Sequence, residues 1–134
     1  MKVPYIILAL CLFVYADNFK GITIVELDQP SVKLSRADKE SGESYINAIK
    51  ETCNTQIVQY FRKENIIKFF KKAKEYDHIP LAEYCTYPCR ITGKVKLDFR
   101  IYDFELNEGG YAVLKGKNEE RYFGDEALYG ECGI

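Results

Sequence analysis

The 134-residue chain has no tryptophan and a single histidine, His78. One histidine excludes any metal site built from several imidazoles and any catalytic pair of histidines. Without tryptophan, the sequence also lacks the preferred stacking residue of a sugar-binding groove, where two carboxylates would hydrolyse a glycoside. His78 follows a predicted helix that is rich in lysine, so an interaction with the end of that helix is favoured over catalysis.

Short motifs that carry chemistry are also missing. The sequence contains no GxGxxG, GxxxxGK, HExxH or GxSxG motif and no EF-hand loop. Phosphate-bearing cofactors, zinc proteolysis and the serine hydrolase elbow are therefore disfavoured. We expect no cofactor and no metal, and an enzyme would have to act through carboxylates or tyrosine alone.

Charge of one sign is not in excess, because 19 Lys and Arg face 20 Asp and Glu. Nucleic-acid binders normally carry a basic excess, so we expect no nucleic-acid partner. A local basic run interleaved with Phe69 and Phe70 lies between Arg62 and Lys74. Its pattern favours the solvated face of an amphipathic helix, with nucleic acid, an anionic membrane surface or an acidic partner protein as alternatives. The candidate contact residues in this run are Lys68, Lys71 and Lys72.

The longest apolar run, Val3 to Val14, is about a dozen residues and stops short of the roughly 20 that a membrane helix needs. Lys2 precedes it, and Val14-Tyr15-Ala16 follows the small-residue pattern of a signal peptidase site. The sequence predicts a signal peptide over 1–16, cleaved after Ala16, and one domain over 17–134. No later run could span a membrane, so we expect a secreted or periplasmic protein.

Four cysteines remain after that cleavage: Cys53, Cys85, Cys89 and Cys132. An even number in an oxidising compartment predicts two disulfides. Pro88 disfavours helical geometry at Tyr87, so Cys85 and Cys89 are expected to face different elements. The pairing we favour is Cys53 with Cys85 and Cys89 with Cys132, although three pairings exist. A four-thiolate metal site is disfavoured because the spacing lacks CxxC pairs.

The first half of the chain has helical periodicity after one early strand. Residues 21–27 are rich in β-branched side chains and predict a strand at a sheet edge or over the core. Ser35 and Asp38 have the spacing of a helix cap. Apolar residues then recur at helical spacing over 43–63 and again over 65–76, which predicts two amphipathic segments that pack as a helical hairpin or run as one bent helix.

The second half alternates between apolar and polar residues. Val95, Leu97, Phe99 and Ile101 would share one face of a strand, and the slip of phase at Ile101-Tyr102 predicts a β-bulge. Turns are expected at 107–110 and 116–119, with a strand at 111–115 between them and a last strand or two after 121. The predicted fold is α+β, with N-terminal helices and one early strand packed on a disulfide-bonded, C-terminal antiparallel meander.

The segment Leu81-Ala82-Glu83-Tyr84-Cys85-Thr86-Tyr87-Pro88 leads from the helices into the first long strand. This passage resembles in layout the helix-to-strand passage of NTF2-like and cystatin-like domains, over residues 57–106. The resemblance implies a fold and no activity, because both groups host unrelated functions.

These features favour an exported binding module that binds or inhibits another macromolecule, with another protein as the expected partner. Tyrosine is concentrated in the second half and offers rigid contact surface near the two turns. The expected contact residues there are Asn107, Glu108, Tyr111, Lys117, Glu119 and Tyr122. The alternative is a small-molecule carrier with an apolar pocket between helices and sheet, lined by Phe70, Phe99 and Ile101.

Overall fold

The computed structural model describes residues 21–55 and 60–128. The strands are β1 (Ile22–Leu27), β2 (Ser31–Val32), β3 (Lys74–Tyr76), β4 (Cys89–Leu97), β5 (Arg100–Asn107), β6 (Tyr111–Lys115) and β7 (Glu120–Gly124). The helices are α1 (Arg36–Glu40), α2 (Glu43–Thr55) and α3 (Lys63–Lys72), and a 3-10 turn covers Glu126–Leu128.

Seven strands form one antiparallel sheet. Its order is β1-β4-β5-β6-β7-β3. The short strand β2 also pairs with β4, at Arg90 and Cys89. The early strand β1 therefore lies at an edge, and the last four strands follow one another as a meander. The predicted α+β class with a C-terminal antiparallel meander is confirmed.

Helix α3 covers one face of this sheet and forms the core with it. Ile66, Phe69 and Phe70 on the helix are buried. The ring of Phe70 meets the rings of Phe104 on β5 and Phe123 on β7 edge to face, at centroid distances of 5.7 and 6.1 Å. The residues of β4 alternate strictly between buried and more exposed positions, as expected for a strand with one covered face. Aromatic side chains thus fill the space between helix and sheet.

Helices α1 and α2 lie at the periphery. The Ser35 hydroxyl accepts a hydrogen bond from the Asp38 amide at 3.1 Å, and the Asp38 carboxylate accepts one from the Ser35 amide at 3.0 Å. This capping box confirms the predicted cap, and its hydrogen bonds hold the pKa of Asp38 below its usual value. Within α2, only Cys53 is buried.

A disulfide joins Cys53 on α2 to Cys89 at the start of β4. The predicted pairs Cys53–Cys85 and Cys89–Cys132 are therefore wrong. Cys89 is buried on the helix-covered face of β4 beside α2, whereas Cys85 lies in the preceding loop. Cys85 is disulfide-bonded as well, and Cys132 lies outside the described residues.

Helix boundaries differ from the prediction at two places. Residues 60 and 61 form a turn and Arg62 is extended, so the first predicted helix does not reach residue 63, and α3 begins there instead. The second predicted helix ends at Lys72, because Ala73 is extended and the chain enters β3. Strand pairing with β7 and an ion pair between Glu75 and Arg121 stabilise this short edge strand over a continued helix.

The predicted β-bulge near Ile101 is wrong, because the slip of phase is a reversal of the chain. Asp98 and Phe99 form a two-residue turn between β4 and β5, and both have positive φ, at 52° and 66°. Ile101 pairs with Lys96 on the face away from the helices, and Phe99 stands at the tip. The alternating pattern predicts that Phe99 and Ile101 share the buried face of the strand with Val95 and Leu97, but in the structure neither side chain does.

Candidate functional site

The face of the sheet away from α3, called here the outer face, carries a row of alternating charges. Across five neighbouring strands the register places Glu26, Lys94, Asp103, Lys115 and Glu120 in line. The Lys94 ammonium donates to Asp103 at 2.8 Å, and this contact raises the pKa of Lys94. Opposite charges facing one another across strands stabilise a solvated surface, so this row needs no partner.

The two turns expected to form one contact surface lie at opposite ends of the sheet. The first turn, with Asn107, is largely buried. The Asn107 side chain is 8% exposed, accepts hydrogen bonds from the amides of Tyr87 and Gly109, and donates one to the Tyr87 carbonyl. Tyr111 is 7% exposed, and its hydroxyl is 2.9 Å from that of Thr86. Asn107 and Tyr111 therefore hold the loop before β4 in place and offer little surface to a partner.

Glu108 in the same turn lines a cavity of about 270 Å³ beside α2 and Pro88. Burial raises the pKa of its carboxyl above the usual value. Tyr122, by contrast, lies on the outer face, where its hydroxyl donates to Glu120 at 2.7 Å. That hydrogen bond raises the pKa of Tyr122.

The second turn, 116–119, lies at the same end of the sheet as Phe99, and this end is called here the hairpin end. The Glu119 carboxylate accepts hydrogen bonds from the Tyr102 hydroxyl at 2.7 Å and from Arg100 at 2.9 Å. These two donors lower the pKa of Glu119. The Lys117 side chain is exposed beside them. Of the residues predicted to contact a partner, Lys117 and Glu119 lie at this end.

The predicted basic face on α3 is present and solvated. Lys68, Lys71 and Lys72 are all exposed. The Lys72 ammonium is 3.8 Å from the Asp125 carboxylate, which neutralises part of the patch. This face lies on the covering helix, apart from the hairpin end, so the structure does not combine the two predicted surfaces.

Phe99 is the most prominent feature of the hairpin end. It is 85% exposed, and its neighbour Ile101 is 57% exposed. Bulky residues rarely adopt a positive φ, and two-residue turns of this kind favour Asn or Asp followed by Gly. Sequence reasoning missed this tip because Phe99 fitted an apolar alternation. The polar Asp98 within that alternation is a turn-forming residue and could have indicated it.

Arg121 holds this tip in place. Its guanidinium donates to Asp98 at 3.1 Å and to both oxygens of Glu75 at 2.8 and 3.0 Å. It also lies over the rings of Tyr102 and Phe123, 5.6 and 5.2 Å from their centroids. These hydrogen bonds, with that of Glu75 the strongest, raise the pKa of Arg121. The turn formed by Asp98 and Phe99 is thereby held against β3 and β7. No motif in the sequence predicts this contact.

Charged side chains of both signs surround the exposed apolar pair. Asp98 and Arg100 are in ion pairs with Arg121 and Glu119, whereas Lys96 and Lys117 are exposed and form no ion pair among the described residues. Between the two hairpins an open groove of about 540 Å³ is lined by Arg100, Ile101 and Glu119, among others. The hairpin end therefore combines exposed apolar side chains, a neighbouring groove and a rim in which two lysines are the unmatched charges.

The pocket lining predicted for a carrier is not assembled. Phe70 is 3% exposed within the core, whereas Phe99 and Ile101 protrude at the end of the sheet. The three side chains thus lie in separate environments, because the chain reverses at Asp98 instead of continuing.

Within residues 21–55 and 60–128, no helix is long and apolar enough to cross a membrane. The same residues contain no group of three or more His, Cys, Asp or Glu side chains that could hold a metal ion. No protein-family model, curated protein or solved structure matches the chain.

Proposed function

We propose that the protein is an exported interaction module that binds a partner protein through its hairpin end and thereby masks or inhibits that partner. The contact surface consists of Phe99, Ile101 and the turn at 116–119. Phe99 carries the proposal, since it is a large aromatic side chain held at positive φ and exposed to solvent.

Phe99 lowers the stability of the protein without a partner in two ways. A residue with a Cβ at positive φ is disfavoured by about 1 to 2 kcal/mol, and an exposed ring leaves apolar surface in water. A partner that buries this ring recovers roughly 2 to 3 kcal/mol from its apolar area. Aromatic side chains in this position typically dominate binding energy at protein interfaces.

The surroundings indicate the chemistry of the partner. Asp98 and Glu119 at this end are paired with Arg121 and Arg100, which leaves Lys96 and Lys117 as an excess of positive charge around the apolar side chains. A complementary surface is an apolar pocket bordered by acidic side chains, and such charge matching accelerates association. The outer face is a poorer contact surface, because its row of alternating charges is already matched across the strands.

Rigidity also supports a binding role. Arg121 fixes Asp98 against β3 and β7, so little conformational entropy is lost when Phe99 enters a pocket. The Cys53–Cys89 disulfide favours an oxidising compartment, in agreement with the signal peptide predicted over 1–16. The NTF2-like or cystatin-like layout, expected from the sequence over residues 57–106, is retained as part of the proposal.

The test is affinity capture with the purified, oxidised protein from the extracellular or periplasmic fraction of its source, followed by titration of the captured protein. The Phe99→Asn variant keeps a residue that tolerates positive φ and removes the ring. The matched control is Tyr45→Asn, which removes an exposed aromatic ring, 47% accessible, from α2.

We expect Phe99→Asn to weaken binding by at least tenfold and Tyr45→Asn to leave it unchanged. Equal affinity of Phe99→Asn and wild type would refute the proposal. Loss of binding in Tyr45→Asn alone would place the contact at α2 instead.

A further inference from the structure

The loop over residues 77–88 crosses the outer face and creates a cavity there. Tyr84 in this loop is 2% exposed, and its hydroxyl lies 3.0 Å from that of Tyr76 on β3. The Tyr84 ring packs directly on Gly124, where a Cβ atom would come within 2.4 Å of it. The loop is thus held down at its centre, away from the hairpin end.

Beside this anchor, the loop and the strands bound a cavity of about 250 Å³. Its lining includes Lys33, Leu81, Tyr87, Arg90, Glu105 and Val113. A cavity of this size accommodates a ligand about as large as one amino-acid residue, below the range for drug-sized molecules.

Several polar groups of the lining are already bonded to one another. Thr86 bonds to Tyr111, and the Asn107 amide is occupied by the backbone of Tyr87. The Arg90 guanidinium donates through Nη1 to Glu105. Its Nε is buried and has no hydrogen-bond partner within the described part of the chain. A buried donor without a hydrogen-bond partner destabilises the protein. A new hydrogen bond from Arg90 to an acceptor would remove this cost and so offset the small side-chain movement needed to form it.

The charge of the lining indicates what kind of acceptor fits. Lys33 and Arg90 contribute two positive charges, and Glu105 contributes one negative charge. The excess is positive, and the planar guanidinium of arginine is suited to a carboxylate. Apolar surface lies on the loop side, where Ile79 and Leu81 are 39% and 53% exposed. A ligand with a carboxylate at one end and an apolar arm at the other matches both parts.

We infer that this cavity binds a small carboxylate with one apolar arm, with Arg90 and Lys33 contacting the carboxylate and Leu81 and Val113 contacting the arm. Such chemistry is present in an N-acylated amino acid and in the C-terminal residue of a peptide chain. This site is distinct from the hairpin end and does not depend on the function proposed for it.

The probe is N-acetyl-leucine, titrated into the purified, oxidised protein and followed by amide NMR shifts and calorimetry. N-acetyl-leucinamide is the matched control, because it keeps the apolar arm and removes the charge. We expect saturable shifts around Arg90 and Val113 and at least tenfold weaker binding of the amide. A Leu-terminated tetrapeptide that binds more tightly than N-acetyl-leucine would identify a chain terminus as the source, and equal affinity would identify the free acid.

Two variants test the assigned contacts. Lys33→Gln alters an exposed side chain and should weaken N-acetyl-leucine at least threefold, while Arg90→Lys should weaken it more strongly. Phe99→Asn should bind the ligand as wild type does, which separates this site from the hairpin end. Equal affinity for the acid and the amide, or the absence of binding at millimolar concentration, would overturn the inference.

Discussion

Replacing Arg121 by lysine tests whether the guanidinium holds the hairpin end together. The Arg121 side chain is 18% exposed and is bonded to Glu75 and Asp98 on two other parts of the sheet. It also lies over the rings of Tyr102 and Phe123. Lysine keeps the charge and most of the stem but cannot form two parallel hydrogen bonds or stack as a plane.

The expected cost follows from these contacts. Each cation–π contact contributes about 0.5 to 1 kcal/mol at a site of this exposure. The pair with Glu75 is partly solvated, since Glu75 is 46% exposed, and its contribution is about 0.5 to 1 kcal/mol after screening. If lysine retains about half of the total, Arg121→Lys should lower the free energy of unfolding by about 0.8 to 1.5 kcal/mol, equivalent to roughly 5 °C in Tm.

The assay is urea unfolding followed by circular dichroism at neutral pH and low salt. Arg36→Lys is the control, because Arg36 forms an ion pair with Glu40 at a side-chain exposure of 94%. We expect no shift of the unfolding midpoint for that variant. A loss below about 0.3 kcal/mol for Arg121→Lys would show that the guanidinium contributes nothing specific and that the tip is held by other contacts.

Three further predictions concern the periphery of the fold. Burial raises the pKa of Glu108, so Glu108→Gln should stabilise the protein at pH 7 by about a few tenths of a kcal/mol. Urea titrations should show that this gain disappears below about pH 4, because the carboxyl is then protonated in both the folded and the unfolded protein. Gly124→Ala places a methyl group against the Tyr84 ring and should cost roughly 2 kcal/mol in the same assay, whereas an unchanged midpoint would mean that the loop is not packed there. Replacing Cys53 and Cys89 together by alanine removes a bond across 36 positions and should cost about 3 to 4 kcal/mol by thermal unfolding, a figure that a misassigned pair would not produce.

Periodicity located most of the sheet, because a pleated strand with one covered face must alternate. The strand at Tyr111–Lys115 and the two turns around it were predicted at their observed positions. The alternating pattern does not predict the turn at Asp98 and Phe99. Apolar residues keep their alternating spacing across this two-residue turn, so the pattern indicates a bulge within one strand instead of a chain reversal between β4 and β5.

Contacts between residues far apart in the chain could not be predicted from the sequence. The pairing of Cys53 with Cys89 depends on which face of β4 each cysteine occupies. Asn107 and Tyr111 were expected at a contact surface because turns and tyrosines are often exposed, but the loop before β4 covers them. The bonds of Arg121 to Glu75 and Asp98 join residues far apart in the chain, and nothing in the local sequence indicates them.

Photocrosslinking from the hairpin tip tests the central claim most directly. Benzoylphenylalanine placed at position 99 resembles the natural ring, and the same group at position 45, where Tyr45 is exposed on α2, serves as the control. We expect irradiation with the source fraction to give one dominant protein adduct of one-to-one stoichiometry from position 99 and none from position 45. An equal adduct from both positions, or an adduct from position 45 alone, would contradict a partner held by the hairpin end.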